Sequence, residues 1–228
     1  AAAPALVAVY RAMVAGPLVA ATLPKPGDSG IDHVIVVMRE NRSCDHFLGW
    51  IPGSDGKQSG LRYVDRYGIP HTTHHLTTYQ GCESPDPDHS YEGGRIELNG
   101  GKCDGWLRAG DNDEFAIGYY ESADLDFWRQ AGADWTVCDR YFAATMAETY
   151  PNRFYQHSAQ TDRDHNGDVA TGTNSTLPTI WDKLKTAGLT GRYYYVDLAY
   201  TLLWGKKYFV SNPISFPVAQ FPAACDSA

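Results

Sequence analysis

The chain has 228 residues, 43% of them hydrophobic, which fits one globular domain or most of a larger one. Its formal net charge of −8 sets it against a general phosphate-backbone binder, so nucleic acid is not an expected partner. An acidic chain can still hold phosphate locally, through a metal or a helix N-terminus.

Residues 1–24, "AAAPALVAVYRAMVAGPLVAATLP", are rich in Ala and Val but broken by Pro4, Arg11 and the Gly16-Pro17 pair. That interruption excludes a transmembrane helix, which needs about 20 apolar residues. The stretch also lacks the basic start of a signal peptide. Residues 1–30 are expected to form an N-terminal helical segment of a processed protein that packs on the domain at 31–228. The five cysteines, Cys44, Cys82, Cys103, Cys138 and Cys225, include no Cys-x-x-Cys pair, which argues against a zinc ribbon or a thioredoxin-like motif. Cys82 and Cys103 flank a Gly- and Pro-rich stretch. Two readings stay open for them: a disulfide, which implies an oxidising compartment, or two free thiols.

Residues 31–38, "IDHVIVVM", form a short β-branched run bounded by Gly30 and a polar cluster, which predicts a strand buried on both faces. Residues 50–113 carry many Gly, Pro, Asp and His residues with little periodicity and read as a long loop excursion. Residues 115–131 read as helical, with Ser122 as the N-cap of a second segment. Residues 135–144, "WTVCDRYFAA", read as another buried strand, and the helix after it is expected to carry Pro151 at its first position. Residues 177–187 predict an amphipathic helix closed by Gly188, and 192–197, "RYYYVD", a third strand. Alternating strands and helices predict an α/β fold with a mostly parallel sheet.

Two polar clusters follow the first two apolar runs: Glu40-Asn41-Arg42 and Thr149-Tyr150-Pro151-Asn152-Arg153. In open α/β sheets, ligands bind at the carboxyl ends of strands. If both clusters reach one edge, a carboxylate, a carboxamide and a hydroxyl converge, a set of oxygens that suits a hard or borderline divalent cation. A metal-bound Thr hydroxyl at a helix start is an activated nucleophile. The competing reading is a surface ion pair at the first cluster and a helix cap at the second.

The segment "HVIVVMRENRSCDHFLG" closely resembles the opening motif of the bacterial phosphoesterase family that holds phosphatidylcholine-type phospholipases C and related acid phosphatases, a branch of the alkaline phosphatase superfamily. Cys44 stands where that motif usually has Phe. "PDPDHSYEGGRIELNGGKCDGWL" (85–107), "GYYESADLDFWRQAGADWTVCDRYFAATMAETYPNRFYQHSA" (118–159) and "STLPTIWDKLKTAGLTGRYYYVDLAYTLLWG" (175–205) resemble further family segments in the expected order. The resemblance covers nearly everything from Ile31 onward.

The resemblance implies a three-layer α/β/α sandwich, incomplete in this chain, and a metal-dependent phosphoesterase. Glu40 and Asn41 are implied as metal ligands. Thr149 is implied as both ligand and nucleophile, Thr in the phospholipase C branch where acid phosphatases have Ser. The metal is left open among Ca, Zn, Mg, Mn and Fe. The implied substrate is a phospholipid or small phosphoester, with phosphatidylcholine-type diesters preferred over the monoesters of the acid phosphatase branch. A catalytically incomplete lipid-binding or interaction fragment is the reading from a different class. The family pattern continues beyond the segment resembled by residues 220–228 with further acidic ligands, so the chain is expected to be the N-terminal portion of a longer protein and to partner its C-terminal portion. A transient membrane surface and a secreted or cell-envelope location are also expected.

Several residues keep two readings. Asn152 and Arg153 either orient phosphate or cap the helix and pair with Glu148 or Asp139, the structural role being preferred. His89 either approaches the site or is a loop histidine bonded to Asp88. Asp45 and His46 are expected to brace the metal loop. His71, His74 and His75 read as a solvated patch rather than a metal site. Tyr193, Tyr194 and Tyr195 read as strand and core rather than a quaternary-ammonium cage. "DRDHNGD" (162–168) reads as a surface loop rather than a calcium loop.

Overall fold

The computed structural model describes residues 25–40, 42–79, 83–166 and 174–226. Most of the expected N-terminal helix, together with Asn41, Cys82 and part of the 162–168 loop, lies outside the described residues. The chain divides into two units, 1–41 and 42–228.

In the first unit, Pro26–Asp28 form one 3-10 turn and residues 31–40 run without strand structure. The expected buried strand is absent: Val34 and Val37 are about four-fifths exposed, and Ile35 and Val36 are exposed with them. A strand buried on both faces needs a partner on each edge and cover above and below. Among the described residues no strand is laddered to this run.

The second unit contains α1 (Cys44–Phe47), β1 (Arg62–Val64), β2 (Pro70–Thr72), β3 (His74–His75), α2 (Tyr91–Leu98), β4 (Gly118–Tyr119), α3 (Asp126–Asp134), α4 (Thr149–Ser158), α5 (Ile180–Thr186), β5 (Tyr193–Tyr195), β6 (Ser215–Pro217) and α6 (Phe221–Asp226). Among the described residues the strands form three two-stranded sheets. β1 and β2 are antiparallel, whereas β3–β4 and β5–β6 are parallel. Mixed helices and short parallel sheets make this an α/β chain. No helix among the described residues is long and apolar enough to cross a membrane.

The excursion at 50–113 is more ordered than its composition suggests. β1 and β2 close through Asp65, whose carboxylate accepts from the Tyr67 and Ile69 amides, both at 2.8 Å, while Gly68 takes the positive φ of the turn. The segment expected as helical from 115 is divided: a 3-10 turn at Glu114–Ile117, then β4, then a 3-10 turn at Ser122–Asp124, then α3. Pairing with β3 overrides the local preference. Gly118 makes that close approach feasible, because a Cβ there would fall 2.7 Å from the Leu76 side chain. Glu121, not Ser122, caps the second turn, in a reciprocal capping box with Asp124.

The expected strand at 135–144 is also absent. Tyr141 and Phe142 are more than four-fifths exposed, and the segment has no ladder partner among the described residues. The third strand is present as β5, in parallel register with β6. The expected helix at 177–187 is α5, where Thr179 and Asp182 form a capping box and Gly188, at φ +71°, follows the end.

The core gathers Phe154, Trp181, Leu203, Trp204, Tyr208 and Ile214. Phe154 of α4 is fully buried, with its ring centroid 4.8 Å from that of Trp204. Trp204 anchors in turn by donating its indole N–H to the Leu177 carbonyl at 2.9 Å. Tyr208 lies on a π-helical turn at Lys207–Ser211 and has no exposed surface. Its hydroxyl bonds the Thr179 hydroxyl and the Asp182 carboxylate, and Asp182 also pairs with Lys207 at 2.7 Å. The core thus fastens α4 to the cap of α5. Phe154→Ala is expected to lower stability by about 3–5 kcal/mol, the usual cost of emptying a buried aromatic site. Equilibrium urea unfolding checks this, and a loss below about 1 kcal/mol would show that the core does not seat α4.

Candidate functional site

Thr149 is the first residue of α4. Glu148 precedes it with an extended backbone, φ −60° and ψ −179°, which turns the chain into the helix. Pro151 falls in the first turn, two residues later than expected, where a missing N–H leaves no helical bond unmade. Ala159 ends the helix in the left-handed region. The helix buries Pro151, Arg153, Phe154 and His157, while Thr149 is half-buried. A half-buried threonine therefore stands at the N-terminus of a ten-residue helix, where the backbone dipole favours developing negative charge.

The loop before Thr149 is tied from two sides. The Asn152 side-chain amide donates to the carbonyls of Thr145, Ala147 and Glu148, each at 3.1 Å, and its oxygen accepts from the Thr145 amide at 3.3 Å. Arg95 of α2 donates to the Met146 carbonyl at 3.3 Å. A Cβ on Gly94 would sit 2.9 Å from that same carbonyl oxygen, so glycine lets α2 pack close to the loop. Arg153 turns inward, buried, with its guanidinium 4.3 Å from the Tyr200 ring centroid and bonded to Gln156.

α2 also organises the His89 turn. Ser90 caps α2 by accepting from the Gly93 amide at 2.9 Å. Asp88 accepts from the Ser90 amide and donates its own amide to Asn112. His89 is exposed in this turn, with Nδ1 3.1 Å from the Pro87 carbonyl and 3.9 Å from the Asp86 carboxylate. Its close partners are thus Pro87 and Asp86 rather than the Asp88 that was expected. One helix therefore carries the His89 turn at its start and braces the Thr149 loop along its side.

Glu40 is exposed at the end of the first unit, Asn41 lies outside the described residues, and Thr149 belongs to the second unit. The segment just after them is firmly held. Arg42 donates to the Phe115 carbonyl at 3.0 Å and lies over its ring. Ser43 caps α1. Asp45 accepts from the Lys57 amide at 2.7 Å. His46 is buried, its Nδ1 2.8 Å from the Gly118 carbonyl, with the Phe47 and Tyr120 rings edge-on to it. Asp45 and His46 thus brace this loop against residues 57–58 and 115–120.

A divalent metal is implied by the resemblance. The proposed donors, a carboxylate, a carboxamide and a hydroxyl, are hard oxygen ligands, and Glu40 and Thr149 both keep accessible surface. No group of three or more His, Cys, Asp or Glu side chains among the described residues is arranged to hold a metal ion. The set fits an ion such as Mg²⁺, which is commonly held by few protein oxygens and completed by water and substrate phosphate.

Burial divides the titratable groups. It pushes His46 down to about 4, helped by the nearby Arg42 charge. Burial with Arg153 nearby pushes His157 of α4 down to about 4 as well. His71 moves upward, held between Asp65 at 3.1 Å and Glu114 at 2.8 Å. His75 pairs with Asp124 at 2.8 Å, and His74 lies in β3. His71 and His75 are therefore drawn into separate carboxylate contacts. The 162–166 stretch docks on α2: Asn166 accepts from the Tyr91 amide, and His165 stacks on the Tyr91 ring at 4.4 Å. The tyrosines 193–195 form β5, half-buried as expected. Cys44, Cys103, Cys138 and Cys225 carry free thiols.

Glu97 of α2 was missed. It is buried, accepts from Asn112 at 3.3 Å, and burial with the neighbouring Asp88 charge pushes its carboxyl up to about 7. The signal was the Gly93-Gly94 pair one turn earlier, which marks the packed face of the helix.

The phosphoesterase family model matches residues 31–224, and the chain belongs to the Phosphoesterase family. It is 33% identical to phospholipase C B of Mycobacterium tuberculosis over 182 residues, covering 66% of this chain and 34% of that protein. It is 30% identical to the non-hemolytic phospholipase C of Pseudomonas aeruginosa over 196 residues, 72% of this chain and 27% of that protein. It is 26% identical to the non-specific phospholipase C3 of Arabidopsis thaliana, 73% of this chain and 37% of that protein. The chain spans about a third of the length of the curated relatives it matches.

Because His46 and His157 are held neutral, stability is full above about pH 6.5 and is lost as pH falls toward 4, by about 3 kcal/mol for each imidazole. His71 runs the opposite way: its contribution is present below about 6.5 and is lost as pH rises through its raised value. Imidazole titration by NMR is expected to give midpoints near 4 for His46 and His157 and above 6.5 for His71. Ordinary midpoints for the first two would contradict their burial.

Proposed function

We propose that this chain carries the nucleophile of a phosphoric ester hydrolase of phospholipase C type, with Thr149 as that nucleophile. The observation that carries the reading is the half-buried Thr149 at the N-terminus of α4 in a chain of the Phosphoesterase family. The names of these relatives, all phospholipases C, favour a phospholipid diester, and within that class this reading takes phosphatidylcholine. In this reading Thr149 Oγ attacks phosphorus, the bond to the diacylglycerol oxygen breaks, and that oxygen leaves with a proton. The phosphorylated head group stays esterified to Thr149 until water releases it. Glu40, Asn41 and Thr149 are the residues that would hold a divalent ion, Ca, Zn, Mg, Mn or Fe, whose charge lowers the hydroxyl pKa and stabilises the equatorial phosphoryl oxygens. His89 is assigned to phosphate contact.

The proposal extends to architecture and place. The short parallel sheets and their helices belong, in this reading, to a three-layer α/β/α sandwich. The enzyme is secreted or held in the cell envelope, where it meets a membrane surface transiently.

The test offers p-nitrophenyl phosphorylcholine and p-nitrophenyl phosphate to one preparation, before and after chelation and with divalent metal restored. The expected result is chelator-sensitive turnover of the diester, lowered about ten-thousand-fold by Thr149→Ala. Preference for the monoester would move the chain to the phosphomonoesterase reading. Full turnover in Thr149→Ala overturns the nucleophile, and no turnover of either ester leaves the reading of a catalytically incomplete fragment.

A further inference from the structure

The loop that delivers Thr149 has no ladder of its own. Residues 141–148 run as coil and bends, and the side chains at 141–144 are exposed. Such a segment holds one shape only if its backbone groups find fixed partners. Four consecutive carbonyls do find them. Those of Thr145, Ala147 and Glu148 accept from Asn152, and that of Met146 accepts from Arg95. The Asn152 oxygen adds the Thr145 amide, so one side chain grips both faces of the same peptide segment. Asn152 stands one turn into α4, and its neighbours Pro151, Arg153 and Phe154 are buried. The clamp is therefore anchored in the core and acts on the residues directly before the nucleophile.

We infer that Asn152 is a positioning residue for Thr149: its amide fixes the 145–148 loop and so sets where the Thr149 hydroxyl stands. This rests on the nucleophile reading above and goes beyond it. The side-chain amide is spent on backbone, which leaves little of it for substrate. An amide of this kind has two N–H groups, and three carbonyls share them. Removing it frees the loop without altering any group that meets phosphorus. A displacement of about 1 Å at a reacting atom is worth about 100-fold in rate.

The experiment compares Asn152→Ala and Asn152→Asp with Thr179→Ala, a control that removes the cap of α5 at comparable cost in stability. With p-nitrophenyl phosphorylcholine, both Asn152 variants are expected to lose about 100-fold in kcat with KM within about two-fold. Asn152→Asp keeps the acceptor for the Thr145 amide but not the donors, so it fails equally. Thr179→Ala is expected to lose stability and keep kcat. Hydrogen–deuterium exchange supplies a readout independent of turnover: in Asn152→Ala, amides at 143–150 are expected to exchange at least about tenfold faster, with α5 unchanged. Unchanged kcat, unchanged loop exchange, or a raised KM at constant kcat would each overturn the inference, the last by making Asn152 a substrate contact. A Thr149→Ala variant that retained turnover would instead sink the nucleophile reading and leave the loop exchange as the test of the clamp.

Discussion

The burial of Phe154 against Trp204 is the contact on which the second unit depends. It is made by the middle of α4, so it fixes both the axial position and the rotation of that helix. Thr149 stands five residues earlier on the same helix. The place of the candidate nucleophile is thus set by an aromatic core, to which side-chain bonds tie the loop that precedes it. The same core holds Trp181 and Tyr208, whose neighbours Thr179 and Asp182 form the cap of α5. Helix start, helix packing and helix cap are one connected arrangement.

A second constraint follows from backbone chemistry. A loop with no sheet or helix must still satisfy its carbonyls, and here side chains from α2 and α4 do so. α2 has a double role, since the turn at its start carries His89 while Gly94 and Arg95 press on the Thr149 loop. Burial of its Glu97 links that helix to Asn112, which also holds Asp88. Two helices therefore define the surroundings of Thr149, each through polar contacts to backbone.

Much of this was legible in the sequence where local chemistry decides the outcome. The helix closed by Gly188, the strand of tyrosines and the helix carrying Pro151 follow from local preferences that the fold keeps. The apolar runs at 31–38 and 135–144 did not become strands, because an apolar run encodes a preference for burial and not the presence of a partner edge. At 118–119, Gly and Tyr left a predicted helix because pairing with β3 outweighed a weak local preference. Thr149, Glu40 and Asn41 stood out by motif, whereas the role of Asn152 depends on which carbonyls a folded loop presents, and no spacing rule contains that. Glu97 was overlooked because a glutamate in a short helix reads as surface until the adjacent glycines are weighed.

The central claim is that Thr149 forms the covalent bond to phosphorus. Rapid acid quench of the enzyme during turnover of p-nitrophenyl phosphorylcholine, followed by peptide mass analysis, tests it most directly. The account predicts a phosphorylcholine ester on Thr149, formed with a burst of p-nitrophenol and absent in Thr149→Ala. An adduct on another residue, or steady turnover by Thr149→Ala, would contradict it.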